Sequence, residues 1–191
     1  MRKVRRLAVP LVALVALTAA VPAAAGEIRG RLLLGDRPAS GITVSAVPYE
    51  TPYDAARREA KGGEEPKAAA SAVSGPDGGF LLAVPADPPR SVVVRVSGGG
   101  VRAGEFDGVY DTSESADLGE QLLAPGVSLA GTVVDRAGQP VAGALVTLRA
   151  TTPGNGDLST APVRTTTGTD GTFRLDGAAT SGGVNPLRAE K

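Results

Sequence analysis

Small or apolar residues recur with a period of two in two separate places along this chain. Ile42, Val44 and Ala46 enclose Thr43 and Ser45, and Ala144, Val146 and Leu148 enclose Leu145 and Thr147. A period of two is strand spacing with one face buried. The likeness extends on both sides. Arg37-Pro38-Ala39-Ser40-Gly41-Ile42-Thr43-Val44-Ser45-Ala46 lies without a gap under Gln139-Pro140-Val141-Ala142-Gly143-Ala144-Leu145-Val146-Thr147-Leu148, with Pro and Gly in step. Upstream, Gly30 to Leu34 matches Gly131 to Asp135. Downstream, Ser74-Gly75-Pro76-Asp77-Gly78-Gly79-Phe80 matches Thr167-Gly168-Thr169-Asp170-Gly171-Thr172-Phe173. The chain is an internal repeat. Each copy predicts a strand, a polar turn, an alternating strand, a loop, a strand, an Asp-Gly turn and a strand opened by Phe.

The turn chemistry accounts for the repeated motif. Pro76 presets a turn dihedral, Asp77 and Asp170 can bond their own backbone, and Gly78 and Gly171 accept the positive φ that closes a hairpin. Phe80 and Phe173 then fall at equivalent strand positions and are expected to plug the core.

In the first copy the strands continue. Ser91 to Val96 is β-branched and mostly apolar, and Leu118 to Leu123 is a further short strand. Ala124-Pro125-Gly126 reads as a short linker. In the second copy Leu187 to Lys191 falls where the next strand begins, so the second module is expected to be incomplete. The first copy departs from the β pattern between Tyr49 and Lys61. This segment is expected to be a mobile loop, 49–68, with one nascent helical turn, because short isolated helices are marginal. The equivalent loop, Thr151 to Pro162, is shorter and rich in Gly, Thr and Pro.

The first 25 residues stand apart. Arg2, Lys3, Arg5 and Arg6 precede an apolar run, Leu7 to Val21, and Ala23-Ala24-Ala25 follows Pro22. That order is a secretory signal peptide cleaved before Gly26. The run is shorter than the roughly 20 residues a spanning helix needs and contains proline, so no stable membrane span is expected after cleavage.

These residues resemble a family. Gly131 to Leu148, followed by Thr169-Asp170-Gly171-Thr172-Phe173-Arg174-Leu175, is similar to the carboxypeptidase regulatory-like domain. The resemblance is close over 127–176 and looser over 27–123. It implies small transthyretin-like, prealbumin-like β-sandwiches in tandem, as found in exported bacterial proteins and beside some metallocarboxypeptidases. The matching residues belong to turns and core, and the family has no shared catalytic residues.

Composition then removes chemistry. Histidine and cysteine are both absent. Zinc peptidase and Ser-His-Asp chemistry therefore have no residues to use, and no disulfide holds the exported chain. Without the leader, bases are fewer than acids and the two are interspersed, so no nucleic-acid partner is expected. Three carboxylate pairs, Glu64 with Glu65, Glu105 with Asp107 and Asp111 with Glu114, lie in polar stretches and read as solvated acids. Asp107 to Asp111 lacks the alternate-position spacing of a calcium loop. Gly98-Gly99-Gly100 lacks the Gly-Lys-Ser/Thr continuation of a phosphate loop and reads as a flexible connector. Tyr49 and Tyr53 flank Pro52 and could form a small ligand platform, against the alternative that they cover a sandwich edge.

The reading is an all-β protein of two tandem antiparallel sandwich modules, 26–124 and 125–191, behind a signal peptide, 1–25. Its function is expected to be non-enzymatic, with no metal and no cofactor. The modules would serve as structural or binding units for a protein or glycan partner, in the periplasm, at the cell surface or outside the cell. Two alternatives stand beside it: an accessory region of a larger exported enzyme or outer-membrane transporter, and a carbohydrate-binding module.

Overall fold

The computed structural model describes residues 26–86, 88–148, 158–160, 162–179 and 187–190. Residues 1–25, where a signal peptide is expected, and Lys191 lie outside the described residues. The first repeat unit contains β1 (Gly26–Leu34), β2 (Arg37–Pro38), β3 (Thr43–Pro48), α1 (Pro52–Ala60), β4 (Ala70–Val73), β5 (Gly79–Val84), β6 (Ser91–Ser97), β7 (Gly104–Phe106), β8 (Tyr110–Asp111) and β9 (Ala116–Leu123). The second contains β10 (Gly126–Thr132), β11 (Leu145–Leu148), β12 (Leu158–Thr160), β13 (Val163–Thr166), β14 (Thr172–Ala179) and β15 (Leu187–Glu190). The protein is all-β apart from α1 among the described residues.

In the first unit β1 lies between β5 and β9, with β2 beside its end. The facing sheet carries β4, β3, β6 and β7 in that order, with β8 on β6. Alternate residues of both sheets meet in one core: Ile28 and Leu32 of β1, Leu82 and Val84 of β5, Val44 of β3, and Val92, Val94 and Val96 of β6. In the second unit β10 pairs with β14, and β11 lies between β13 and β15. Val146 and Leu148 of β11 meet Leu175 and Ala178 of β14 in a second, smaller core. Among the described residues all strand pairs are antiparallel except β1 with β9, which is parallel.

The two units match in register. Gly30 stands opposite Phe80, and Gly131 opposite Phe173. A Cβ on Gly30 would lie 3.0 Å from the Phe80 ring, and one on Gly131 2.9 Å from the Phe173 ring. Each ring therefore covers the glycine across the ladder, and any side chain there would displace it. Gly78 and Gly171 have φ of 79° and 74°. Their added Cβ atoms would press on the carbonyl oxygens of Leu32 and Val133. These carbonyls belong to the strand that each turn must pass closely. Asp77 and Asp170 each accept the amide two residues on, both at 3.0 Å.

Behind each turn a hydroxyl is buried. Ser74 Oγ donates to the Ala39 carbonyl at 2.7 Å and accepts from the Ile42 amide at 3.0 Å. Thr167 Oγ1 donates to the Val141 carbonyl at 2.7 Å and accepts from the Ala144 amide at 2.8 Å. The two chain segments joined in this way both cross from one sheet to the other. Inside a crossing, the ladder leaves amides and carbonyls without strand partners, and the hydroxyl satisfies one of each.

Several expectations change. The segment after Tyr49 is a formed helix of nine residues, capped by the Thr51 hydroxyl, which accepts the Asp54 amide at 3.1 Å. Pro52 at its first position and Arg57 and Arg58 in its last turn suit a helix, and the Arg58–Glu50 ion pair at 3.0 Å ties it to the end of β3. The Gly98–Gly100 run is a shaped turn in which all three glycines have positive φ. The expected loop at 151–162 contains β12, which pairs with β7; most of the remainder lies outside the described residues. The linker is shorter than expected, since Gly126 already begins β10. Phe80 is buried, whereas Phe173 is half-buried, because fewer strands cover the second core.

Thr167→Val removes the hydroxyl but keeps the shape, leaving the Ala144 amide and Val141 carbonyl unsatisfied. It should destabilise the second unit by about 1–3 kcal/mol, with Thr167→Ser restoring most of the loss. Denaturant melts check this; equal stability of the valine and serine variants would contradict it.

Candidate functional site

Two features rise from this scaffold: the tyrosine-bearing helix on one flank, and the contact between the two units.

The β3–β4 connection carries the helix. Tyr49 is 43% exposed and Tyr53 73% exposed, so neither ring is folded into the core. They lie at the start of α1, held by the Thr51 cap. Between α1 and the outward face of β11 runs a groove of about 770 Å³, lined in part by Arg58, Glu59, Leu145, Thr147, Arg164 and Arg188. Its charges are already paired. Arg164 reaches Glu59 at 3.3 Å and also Glu65, while Arg188 meets Glu190.

The units join through backbone. The Gly126 amide donates to Gly100 at 2.8 Å, next to a bond within the first unit from the Arg102 amide to Ala124 at 2.8 Å. The Ala103 amide donates to Gly177 at 2.9 Å, and Val101 forms a bridge with Pro125. Val101, 1% exposed, packs into the first core. A Cβ on Gly126 would lie 2.5 Å from the Val101 carbonyl oxygen, so glycine is what permits the approach. β7 and β12 pair across the same contact, with Phe106 opposite Leu158 and Gly104 opposite Thr160.

The carboxylates considered as chemical groups occupy structural places. Glu105 lies in β7 rather than in a loop and pairs with Arg95 at 3.0 Å. Glu65 pairs with Arg164. Asp111 is held below the usual carboxylate range by the Ser113 hydroxyl and amide. Asp170 is lowered in the same way by Thr172, and Asp117 by the Gly119 amide and Arg29. Lowered aspartates with local partners are turn anchors and not proton donors. Tyr110 is raised, chiefly by burial and then by Asp107; its hydroxyl donates to the Asp107 carbonyl at 3.0 Å. Among the described residues no group of three or more His, Cys, Asp or Glu is placed to hold a metal. No described helix is long and apolar enough to cross a membrane.

The structure brings Asp77, Gly78 and Phe80 together at the first turn, and Asp170, Gly171 and Phe173 at the second. Tyr49 and Tyr53 stand apart from both. Sequence reasoning missed Ser74, Thr167 and Val101. The first two were signalled by a hydroxyl residue standing just before the glycine in both copies of the turn. Val101 carried no such signal, since its partners lie in the linker.

No family model and no curated protein matches this chain. Solved structures similar to it include the shaft pilin SpaA from Lactobacillus rhamnosus GG, at 13% identity and a TM-score of 0.32, covering 86% of each chain. The Bacillus anthracis TIE protein matches at 13% identity and a TM-score of 0.32, covering 88% of this chain and 31% of that one. The minor pilin GBS52 of Streptococcus agalactiae matches at 14% identity and a TM-score of 0.27, covering 86% of this chain and 90% of the pilin.

Proposed function

We propose that this chain is an exported, non-enzymatic structural or binding protein. It is built from two tandem modules of the carboxypeptidase regulatory-like type, 26–124 and 125–191. The backbone-bonded contact between the units carries the reading. Linked domains move relative to one another unless their contact is extensive. Here strand pairing, two turn-region backbone bonds and close glycine approaches fix the second unit against the first. Such a joint sets spacing and orientation, as a spacer or presenting scaffold requires. The leader supports export, the lack of histidine supports the absence of peptidase activity, and the repeated turn supports the family.

Small-angle scattering tests the joint. The exported chain should give one narrow distance distribution, and four Gly-Ser residues inserted between Ala124 and Pro125 should broaden it. Equal breadth in both proteins would refute the scaffold reading.

One observation favours a second reading, sugar binding. Tyr53 is 73% exposed on a capped helix, with Tyr49 nearby at 43%. Exposed aromatic faces can stack on sugar rings. A glycan array should then show binding that Tyr53→Ala reduces at least tenfold. Binding unchanged by that substitution, or no binding at all, would remove this reading.

A further inference from the structure

The chain has four Asp-Gly pairs, and the fold closes three of them to further chemistry. Gly78 and Gly171 are buried, and their amides donate to the Gly75 and Gly168 carbonyls at 2.9 and 3.0 Å. The Asp77 and Asp170 carboxylates accept the amides of Gly79 and Thr172, both at 3.0 Å. Gly177 is buried where the β10–β14 register shifts, and the Asp176 carboxylate is held by Ser128 and by Arg174, the latter at 2.9 Å.

Asp107-Gly108 differs. It lies between β7 and β8, with both residues exposed. Among the described residues nothing hydrogen-bonds the Asp107 carboxylate or the Gly108 amide. Gly108 has φ of 122°, and a Cβ there would lie 3.0 Å from the Tyr110 hydroxyl oxygen, so glycine is what lets the phenol approach. That hydroxyl donates to the Asp107 carbonyl at 3.0 Å. A donor at this oxygen stabilises the negative charge that the peptide takes on when its nitrogen loses a proton.

We propose that Asp107-Gly108 is a site of spontaneous backbone isomerisation, promoted by Tyr110. The deprotonated Gly108 nitrogen attacks Cγ of the protonated Asp107 carboxyl group. The N–Cγ bond forms, the Cγ–OH bond breaks, and the hydroxyl leaves as water with the proton that the nitrogen gave up. The product is a cyclic imide. Water then adds at the former Asp107 backbone carbonyl, and the C–N bond there breaks. The chain now runs through Cβ and Cγ, with the α-carboxylate as its side group; nothing is oxidised or reduced, and the mass is unchanged. The backbone is longer by one carbon directly after Phe106, the residue that stands opposite Leu158 where the two units pair. The Asp170 and Asp176 carboxyls, held below the usual range by Thr172 and by Ser128, resist the protonation that this step needs.

Prolonged incubation of the exported chain at neutral pH, followed by peptide mapping with electron-transfer fragmentation, tests this. Isoaspartate at Asp107 should form roughly tenfold faster than at Asp77, Asp170 or Asp176, which react only through local opening. In urea the four sites should react alike, which ties the difference to the fold. Tyr110→Phe should slow the folded reaction about fivefold, the worth of one hydrogen bond. A folded-state rate at Asp107 no higher than at the other three sites would overturn the proposal, as would a difference that persists in urea. A Tyr110→Phe variant that reacts as fast as the parent, or faster, would overturn the part given to Tyr110.

Discussion

A sandwich must carry its chain from one sheet to the other, and at each crossing the backbone loses its ladder partners. In both repeat units two crossings run side by side, and one buried hydroxyl, Ser74 or Thr167, bonds a carbonyl and an amide of the neighbouring crossing. Buried unpaired backbone groups are costly enough that crossings without such a partner would open to water. The hydroxyl also fixes where the Asp-Gly turn starts. The turn then sets the register that lays Phe over Gly on the adjoining strand. Three features of the repeat, the hydroxyl, the turn and the aromatic-covered glycine, thus form one chain of cause.

The same device supports units of unequal cover. The first core is enclosed by two full sheets and sealed by β9. The second rests on fewer buried side chains, among them Val146, Leu148 and Leu175. Small cores have little stability to spare, so the second unit depends more heavily on its crossing clamp and on its contact with the first. Val101 couples the two: its side chain lies in the first core, while its backbone bridges Pro125 at the entry to the second.

The strands and turns were legible in the sequence because alternation and Asp-Gly chemistry are local. The fold class followed from them. Three things were not legible. The helix at Pro52 depends on the Thr51 cap and on the Arg58–Glu50 pair, which add to a weak local propensity. The parallel placement of β9 is a long-range pairing with no local signature. The joint rests on backbone groups of Gly100, Val101 and Ala103, which no local sequence pattern marks. The tyrosines were legible as candidates, and their exposure is set by the helix that sequence reading understated.

The crossing clamp is tested most directly by native-state hydrogen exchange at the Ile42 and Ala144 amides, the two that donate to the buried hydroxyls. Each should exchange only through global unfolding of its own unit, in step with the slowest strand amides around it. Exchange at either amide by a faster local opening, while the neighbouring strands stay protected, would contradict the claim that the hydroxyl clamp holds the sheets together.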